Sequence, residues 1–198
     1  RSVIVVGASP PPPDPAGWFS QNNSSVASTS YYDIHAFNAA RAIAVGSNGS
    51  IMKTVDGGST WEKIPSGVTS TLRGISFVSS QTGWVVGDNG TLLKTTDGGT
   101  SWVPLNSGTT KTLSKIQFND VNTGWVNEDY HNLRRTTDGG NTWQVKYAYS
   151  GSAALEDLRF VSASTGVIVG RFSGGYSLHR TTDGGDTWTD PTLYNGWI

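Results

Sequence analysis

Thr95-Thr96-Asp97-Gly98-Gly99-Thr100-Ser101-Trp102 is the stretch that decides the fold. The same octapeptide returns as Thr54-Val55-Asp56-Gly57-Gly58-Ser59-Thr60-Trp61, as Thr136-Thr137-Asp138-Gly139-Gly140-Asn141-Thr142-Trp143, and as Thr181-Thr182-Asp183-Gly184-Gly185-Asp186-Thr187-Trp188. Asp56 to Asp97 is 41 residues, Asp97 to Asp138 is 41, and Asp138 to Asp183 is 45. A period in the forties marks a repeat array. Within each copy, Asp before two glycines is a tight-turn signal: the carboxylate bonds backbone two residues on, and glycine tolerates positive φ. Each Trp then has a large apolar face to bury between repeats. The box therefore reads as a fastened hairpin, and Asp56, Trp61, Asp97, Trp102, Asp138, Trp143, Asp183 and Trp188 are structural residues. Four copies of one turn need only a repeated hairpin, whereas four copies of one catalytic acid have no obvious use.

The residues between boxes supply strands. Repeat two shows the plan: Leu72-Arg73-Gly74-Ile75-Ser76-Phe77, then Gly83-Trp84-Val85-Val86-Gly87, then Thr91-Leu92-Leu93-Lys94-Thr95, then Ser101-Trp102-Val103-Pro104-Leu105. Four short strands in about 41 residues make one propeller blade. Gly or turn residues interrupt every apolar run before three helical turns form. The expectation is an all-β, single-domain β-propeller over 1–198, with full repeats at about 31–61, 72–102, 113–143 and 155–188. The termini supply a partial blade: Val3 to Val6 read as a second strand and Leu193 to Ile198 as a first. That gives about five blades, one shared between the chain ends, with Trp197 and Val5 in one sheet. The alternative is a fragment of a larger propeller.

Composition narrows function. A net charge of −1 with scattered Lys and Arg gives no nucleic-acid surface. Cysteine is absent, which excludes disulfides and thiolate-bound metals. His35, His131 and His179 fall in three different repeats without metal-ligand spacing, so neither a metal nor a cofactor is expected. No 18-residue apolar run spans a bilayer. The sequence opens on Arg1 rather than Met, which leaves room for a targeting or anchoring segment ahead of it.

The boxes match the Asp-box, or bacterial neuraminidase repeat, Ser/Thr-x-Asp-x-Gly-x-Thr-Trp. More of each repeat, Phe77-x5-Gly83-Trp84-Val85-Val86-Gly87-x2-Gly90-x2-Leu93-Lys94-Thr95-Thr96-Asp97-Gly98-Gly99, resembles the photosystem II stability/assembly-factor-like propellers from about Tyr31 to Trp188. The resemblance implies a non-enzymatic, extracytoplasmic, protein-binding propeller, an assembly factor or accessory subunit that meets the subunits of a membrane-embedded photosynthetic complex. The alternative is a carbohydrate-binding or glycosidase-related propeller. Against a sialidase, the arginine-bearing motif that opens such sequences is missing, and nothing in the spacing of the arginines gathers three in one pocket.

The repeats differ from one another in the turn between second and third strands. Repeat three replaces Asp88-Asn89-Gly90-Thr91 with Glu128-Asp129-Tyr130-His131, and repeat four carries three extra residues within Arg171-Phe172-Ser173-Gly174-Gly175-Tyr176. In a propeller these turns lie on the face opposite the boxes. A rigid scaffold with one variable face is the usual layout of a binding surface. Glu128, Asp129, Tyr130, His131, Arg171, Phe172 and Tyr176 are accordingly the expected partner contacts, since Tyr, Phe and Arg are enriched at interface centres.

Overall fold

The structure, a computed structural model, describes residues 3–4, 29–148, 154–172 and 175–189. These form four antiparallel sheets in chain order. Blade I holds β2 (Tyr31–Ala36), β3 (Ala42–Gly46), β4 (Ile51–Thr54) and β5 (Trp61–Ile64), with β1 (Val3–Ile4) added outside β5. Blade II holds β6 (Leu72–Phe77), β7 (Gly83–Gly87), β8 (Leu92–Thr95) and β9 (Val103–Pro104). Blade III holds β10 (Leu113–Phe118), β11 (Gly124–Glu128), β12 (Asn132–Thr136) and β13 (Gln144–Ala148). Blade IV holds β14 (Ala154–Phe160), β15 (Gly166–Phe172) and β16 (Gly175–Thr181), and the bridge Arg180↔Thr189 begins its outer edge. First strands of successive blades lie side by side, β2 by β6, β6 by β10 and β10 by β14, so they mark the axis.

The all-β propeller of four-stranded blades expected from the sequence is the fold observed. Val3–Ile4, however, pairs with Trp61 and Glu62 at the outer edge of blade I. That is not the place of a second strand in a blade shared by the termini. Val5 and the 193–198 segment lie outside the described residues, and with them the proposed closure. Blade II's last strand is shorter than expected because Pro104 has no N–H to give the ladder; Leu105 N–H resumes it onto Leu92 O at 2.9 Å.

The Asp-box is a closed hydrogen-bond unit. In blade II, Thr95 Oγ1 donates to Asp97 Oδ1 (2.7 Å) and accepts from Gly99 N–H (3.0 Å). Asp97 Oδ1 also takes the N–H of Thr100 (3.0 Å) and Ser101 (2.9 Å), and Oδ2 takes the Ser101 hydroxyl (2.6 Å). The carboxylate thus reaches three and four residues on rather than two. Gly98 and Gly99 sit at φ +71° and +75°, a region a Cβ disfavours. Blade III repeats the pattern on Asp138, and blade IV on Asp183. The first glycine of every box also donates its N–H to the turn between its blade's first two strands, at Ala40, Gln81, Asn122 and Ser164. Both turns therefore share one face.

Three apolar seams hold the blades together. The first joins Ile43, Val45 and Ile51 of blade I to Leu72, Phe77, Val85 and Trp102 of blade II. The second joins Trp84, Val86 and Leu92 to Leu113, Phe118 and Val126, and the third joins Trp125 and Leu133 to Leu155, Phe160 and Ile168. Trp84 and Trp125 are fully buried. Each lies flat on the phenylalanine ending the next blade's first strand: Trp84 on Phe118 at 3.6 Å, Trp125 on Phe160 at 3.8 Å. Each indole also donates to the next blade's box, Trp84 Nε1 to Gly139 O (3.0 Å) and Trp125 Nε1 to Gly184 O (3.2 Å). Where blade I has Ile43 instead, Arg41 and Lys53 donate to Gly98 O at 3.1 Å each.

Two outcomes follow from this packing. Trp84→Ala, which opens a cavity and orphans the Gly139 carbonyl, is expected to cost about 3–5 kcal/mol in denaturant unfolding. A double-mutant cycle with Phe118→Ala should return a coupling of about 0.5–1.5 kcal/mol for the stacked pair, and additive losses would contradict it.

The boxes set the acid response. Thr142's hydroxyl and N–H, with the Thr136 hydroxyl, hold Asp138 down to about 2. Burial pushes Asp97 up, but bonds from Ser101 and Thr95 outweigh it and bring it to about 2. A carboxyl depressed below its unfolded value, near 3.9, stabilises the fold above that pH and loses the contribution as pH falls toward 2. The melting temperature should therefore drop between about pH 4 and 2. Asp138→Asn should melt lower at neutral pH yet fall less across that interval, and parallel profiles would refute the assignment.

Candidate partner-binding face

The turns between second and third strands open on the face opposite the boxes, against the connections between blades. Gly49 N–H donates to Ser70 O, Gly90 N–H to Lys111 O and Asp129 N–H to Thr112 O. In blades I and II these turns are single 3-10 turns, Ser47–Gly49 and Asp88–Gly90. Asn48 and Asn89 take left-handed φ of 55° and 58° there, as the short amide side chain allows. In blade III two successive non-glycine residues are left-handed, Asp129 at φ 54° and Tyr130 at 61°. A bulky residue in that region costs on the order of 1–3 kcal/mol and points to a positional demand.

Tyr130 stands in a cluster that the repeats bring together. Arg73, second residue of β6, forks onto Asp88, Nε to Oδ1 at 2.5 Å and Nη2 to Oδ2 at 3.0 Å. Thr112 Oγ1 adds a third bond to Asp88 at 3.1 Å. The guanidinium lies 5.5 Å from the Tyr32 ring centre. The Asp88 bond raises Arg73 above its ordinary value, with smaller contributions from Tyr130 and Tyr32. Tyr32 and Tyr130 remain 47% and 41% exposed. Lys111 Nζ and Asp129 Oδ2, 3.7 Å apart, edge the cluster.

The expected contacts divide. Asp129, Tyr130 and His131 form one turn on this face; His131 Nδ1 is bonded to the Asp129 carbonyl, and Tyr130's carbonyl accepts Leu155 N–H at 2.6 Å. Glu128 is corrected: it is the last residue of β11 and only 1% exposed. Arg134 Nη2 lies 2.8 Å from its Oε1, and Asn132 Nδ2 donates to Oε2 at 2.9 Å. It braces the turn from below and is not offered to a partner. Arg171, Phe172 and Tyr176 do not form a loop either. The extra residues lengthen the β15–β16 hairpin, with Arg171 paired to Tyr176 and Phe172 to Gly175. Arg171 is exposed; the side chains of Phe172 and Tyr176 lie outside the described residues. Sequence reading missed Tyr32, Arg73 and Lys111. The available signal was that Tyr32 and Arg73 hold the same second position of a first strand in adjacent repeats.

The carboxylates of this face are poorly disposed for acid catalysis. Arg73's bond draws Asp88 below its ordinary range. Burial pushes Glu128 up, yet bonds from Thr109, Asn132 and Arg134 leave it lowered. A glycosidase acid needs the opposite shift. Among the described residues no three His, Asp or Glu are grouped to hold a metal, and His35 is packed against Phe37 and Phe77. No described helix is long and apolar enough to cross a membrane.

Solved structures share this fold. YCF48 bound to D1 peptide superposes with TM-score 0.55 at 17% identity, covering 82% of this chain and 80% of that one. YCF48 from Cyanidioschyzon merolae gives 0.62 at 20%, covering 85% of this chain and 61% of that one. The GH74 enzyme of Niastella koreensis gives 0.62 at 17%, covering 83% of this chain but 30% of the enzyme. No curated protein matches the chain. The family described as photosynthesis system II assembly factor YCF48 matches residues 16–106, 63–144 and 100–195, and the chain belongs to that family.

Proposed function

We propose that this propeller is a non-enzymatic assembly factor or accessory subunit that holds an extended peptide segment of a membrane-complex protein across the face opposite its Asp-boxes. It would work on the extracytoplasmic side of the membrane. The carrying observation is the exposed Tyr32 ring against the Arg73–Asp88 pair, with a second exposed aromatic, Tyr130, held at φ 61° in the turn of blade III on the same face. Two tyrosines and a fixed guanidinium on one face suit a peptide with apolar or aromatic side chains and an anionic group: the rings supply apolar area at low entropy cost, and the cation sets orientation. Arg73 stays anchored by Asp88, so little ordering is left for the binding step. Support from relatives is the YCF48 structure bound to a D1 peptide. Asp129, His131, Arg171, Phe172 and Tyr176 form the wider surface of the same proposal.

The test is calorimetric titration with a synthetic D1 peptide. Tyr32→Ala and Tyr130→Ala should each weaken binding about tenfold or more, the effect of losing an aromatic anchor. Thr60→Ala, in a box on the opposite face, should leave affinity unchanged. Wild-type affinity in both tyrosine variants, with melting temperatures intact, would reject this face.

A further inference from the structure

The first strand of every blade carries one extra residue. Its pairing steps from Tyr31 to Asp33, Leu72 to Gly74, Leu113 to Lys115 and Leu155 to Asp157 while the second strand advances by a single residue. Tyr32, Arg73, Ser114 and Glu156 are thus the bulged residues, and a bulge re-aims a side chain out of the ladder. They lie at the strand end that meets the turns opposite the boxes: Leu72 pairs with Gly87, Leu113 with Glu128, and Leu155 N–H bonds the Tyr130 carbonyl at 2.6 Å. Other positions of these strands are committed to the seams, since Asp33 accepts Ile75 N–H, Ser76 accepts Phe118 N–H and Gln117 accepts Phe160 N–H. Tyr32 and Glu156 are exposed instead, and Arg73 is held on Asp88. Glu156 differs from the other carboxylates in the turns and bulges of this face. Asp88 is bonded to Arg73, Glu128 lies against Arg134, and Asp129 is 3.7 Å from Lys111. The Glu156 carboxylate has neither a hydrogen bond nor an ion pair among the described residues. Ser114, the bulged residue between Arg73 and Glu156, is small and 6% exposed, so the intervening strand raises no long side chain at that level.

We propose that Glu156 is a specificity residue of this face and takes a lysine or arginine side chain of the bound peptide. The inference rests on the reading of this face as a peptide site, and it adds the charge pattern of the peptide. An anionic group lies over Arg73 on β6 and a cation over Glu156 on β14. Neighbouring first strands bring Cα atoms within 8 Å of each other. Two such steps separate the charges, a span that about four extended residues cross. Opposite charges at the two ends fix the direction in which the segment lies, because the reversed segment would set like charges together. The pair at Glu156 stays close to water, so it contributes selection more than affinity.

The test is calorimetric titration with synthetic peptides of about ten residues, long enough to cross the face in extended form. All share one apolar and aromatic background with capped ends. Each carries an aspartate and, about four residues away, a lysine, a glutamine or a glutamate, in both sequence orders. In the better-bound order the lysine peptide should bind about three- to fivefold more tightly than the glutamine peptide, and the glutamate peptide more weakly than either. Glu156→Gln should abolish the lysine preference, and Glu156→Lys should invert it toward the glutamate peptide. Both variants should keep the wild-type melting temperature. Equal affinities of the three peptides for the wild type, or a lysine preference that survives Glu156→Gln, would overturn the proposal. Tyr32→Ala separates that failure from failure of the peptide site. Binding that Tyr32→Ala weakens but that is indifferent to the lysine rejects the role of Glu156 alone. No binding by any peptide, or binding that Tyr32→Ala leaves unchanged, rejects both.

Discussion

Each blade of this propeller is covered only by its neighbours. A four-stranded sheet has two faces and here both are apolar, so no blade has an inside of its own; the inside is the seam. The tightest element of the seam is the indole of Trp84 or Trp125, which lies on the next blade's phenylalanine and donates to its box. One side chain thus fixes spacing through ring contact and rotation through a directional bond. The inner strands add a second link, since each is an edge whose amides need partners. Ser76 accepts Phe118 N–H, and Gln117 both accepts Phe160 N–H and donates to its carbonyl.

That constraint explains what was legible from the chain. The boxes, their period and four strands per repeat are local: they follow from turn chemistry and alternation, and the structure keeps them with small shifts at Pro104 and Thr91. The seam is not local. Nothing in Gly166-Val167-Ile168 announces that Val167 stands where Trp84 and Trp125 stand, until the repeats are laid on one another. The sequence reading sets Glu128 against Asp88 of the blade II turn, but strand register sets it against Gly87, and the ladder continues through it to Asn132. The extra residues of repeat four were read as a loop, and strand pairing absorbed them. In both cases backbone pairing extended further than side-chain pattern showed, a limit of reading strand ends from hydrophobicity.

The same constraint divides labour between the two faces. In the Asp-box both carboxylate oxygens are committed to hydroxyls and amides of their own turn, which is why the groups stay ionised far below neutral pH. An acid so fully bonded has little to offer a ligand, and rearranging it would loosen the hairpin that the neighbouring Trp or Lys grips. The repeats differ on the other face, where the turns meet the connections between blades and the first strands.

Blade III departs furthest from the common plan on that face. Where blade II has Val86, Gly87 and Leu93, it has Asn127, Glu128 and Arg134, polar residues set beneath the turn that carries Tyr130. Asn127 is fully buried and donates to Leu155 O at 2.6 Å; Glu128 is buried on Arg134. A buried ion pair brings little net stability over an apolar pair of the same size, because desolvation offsets the attraction. The left-handed turn above it adds a further cost. Two unfavourable choices stacked at one place make poor sense as packing and good sense as positioning. The network clamps both ends of the turn, so the backbone that carries the exposed Tyr130 is fixed by bonds made in folding.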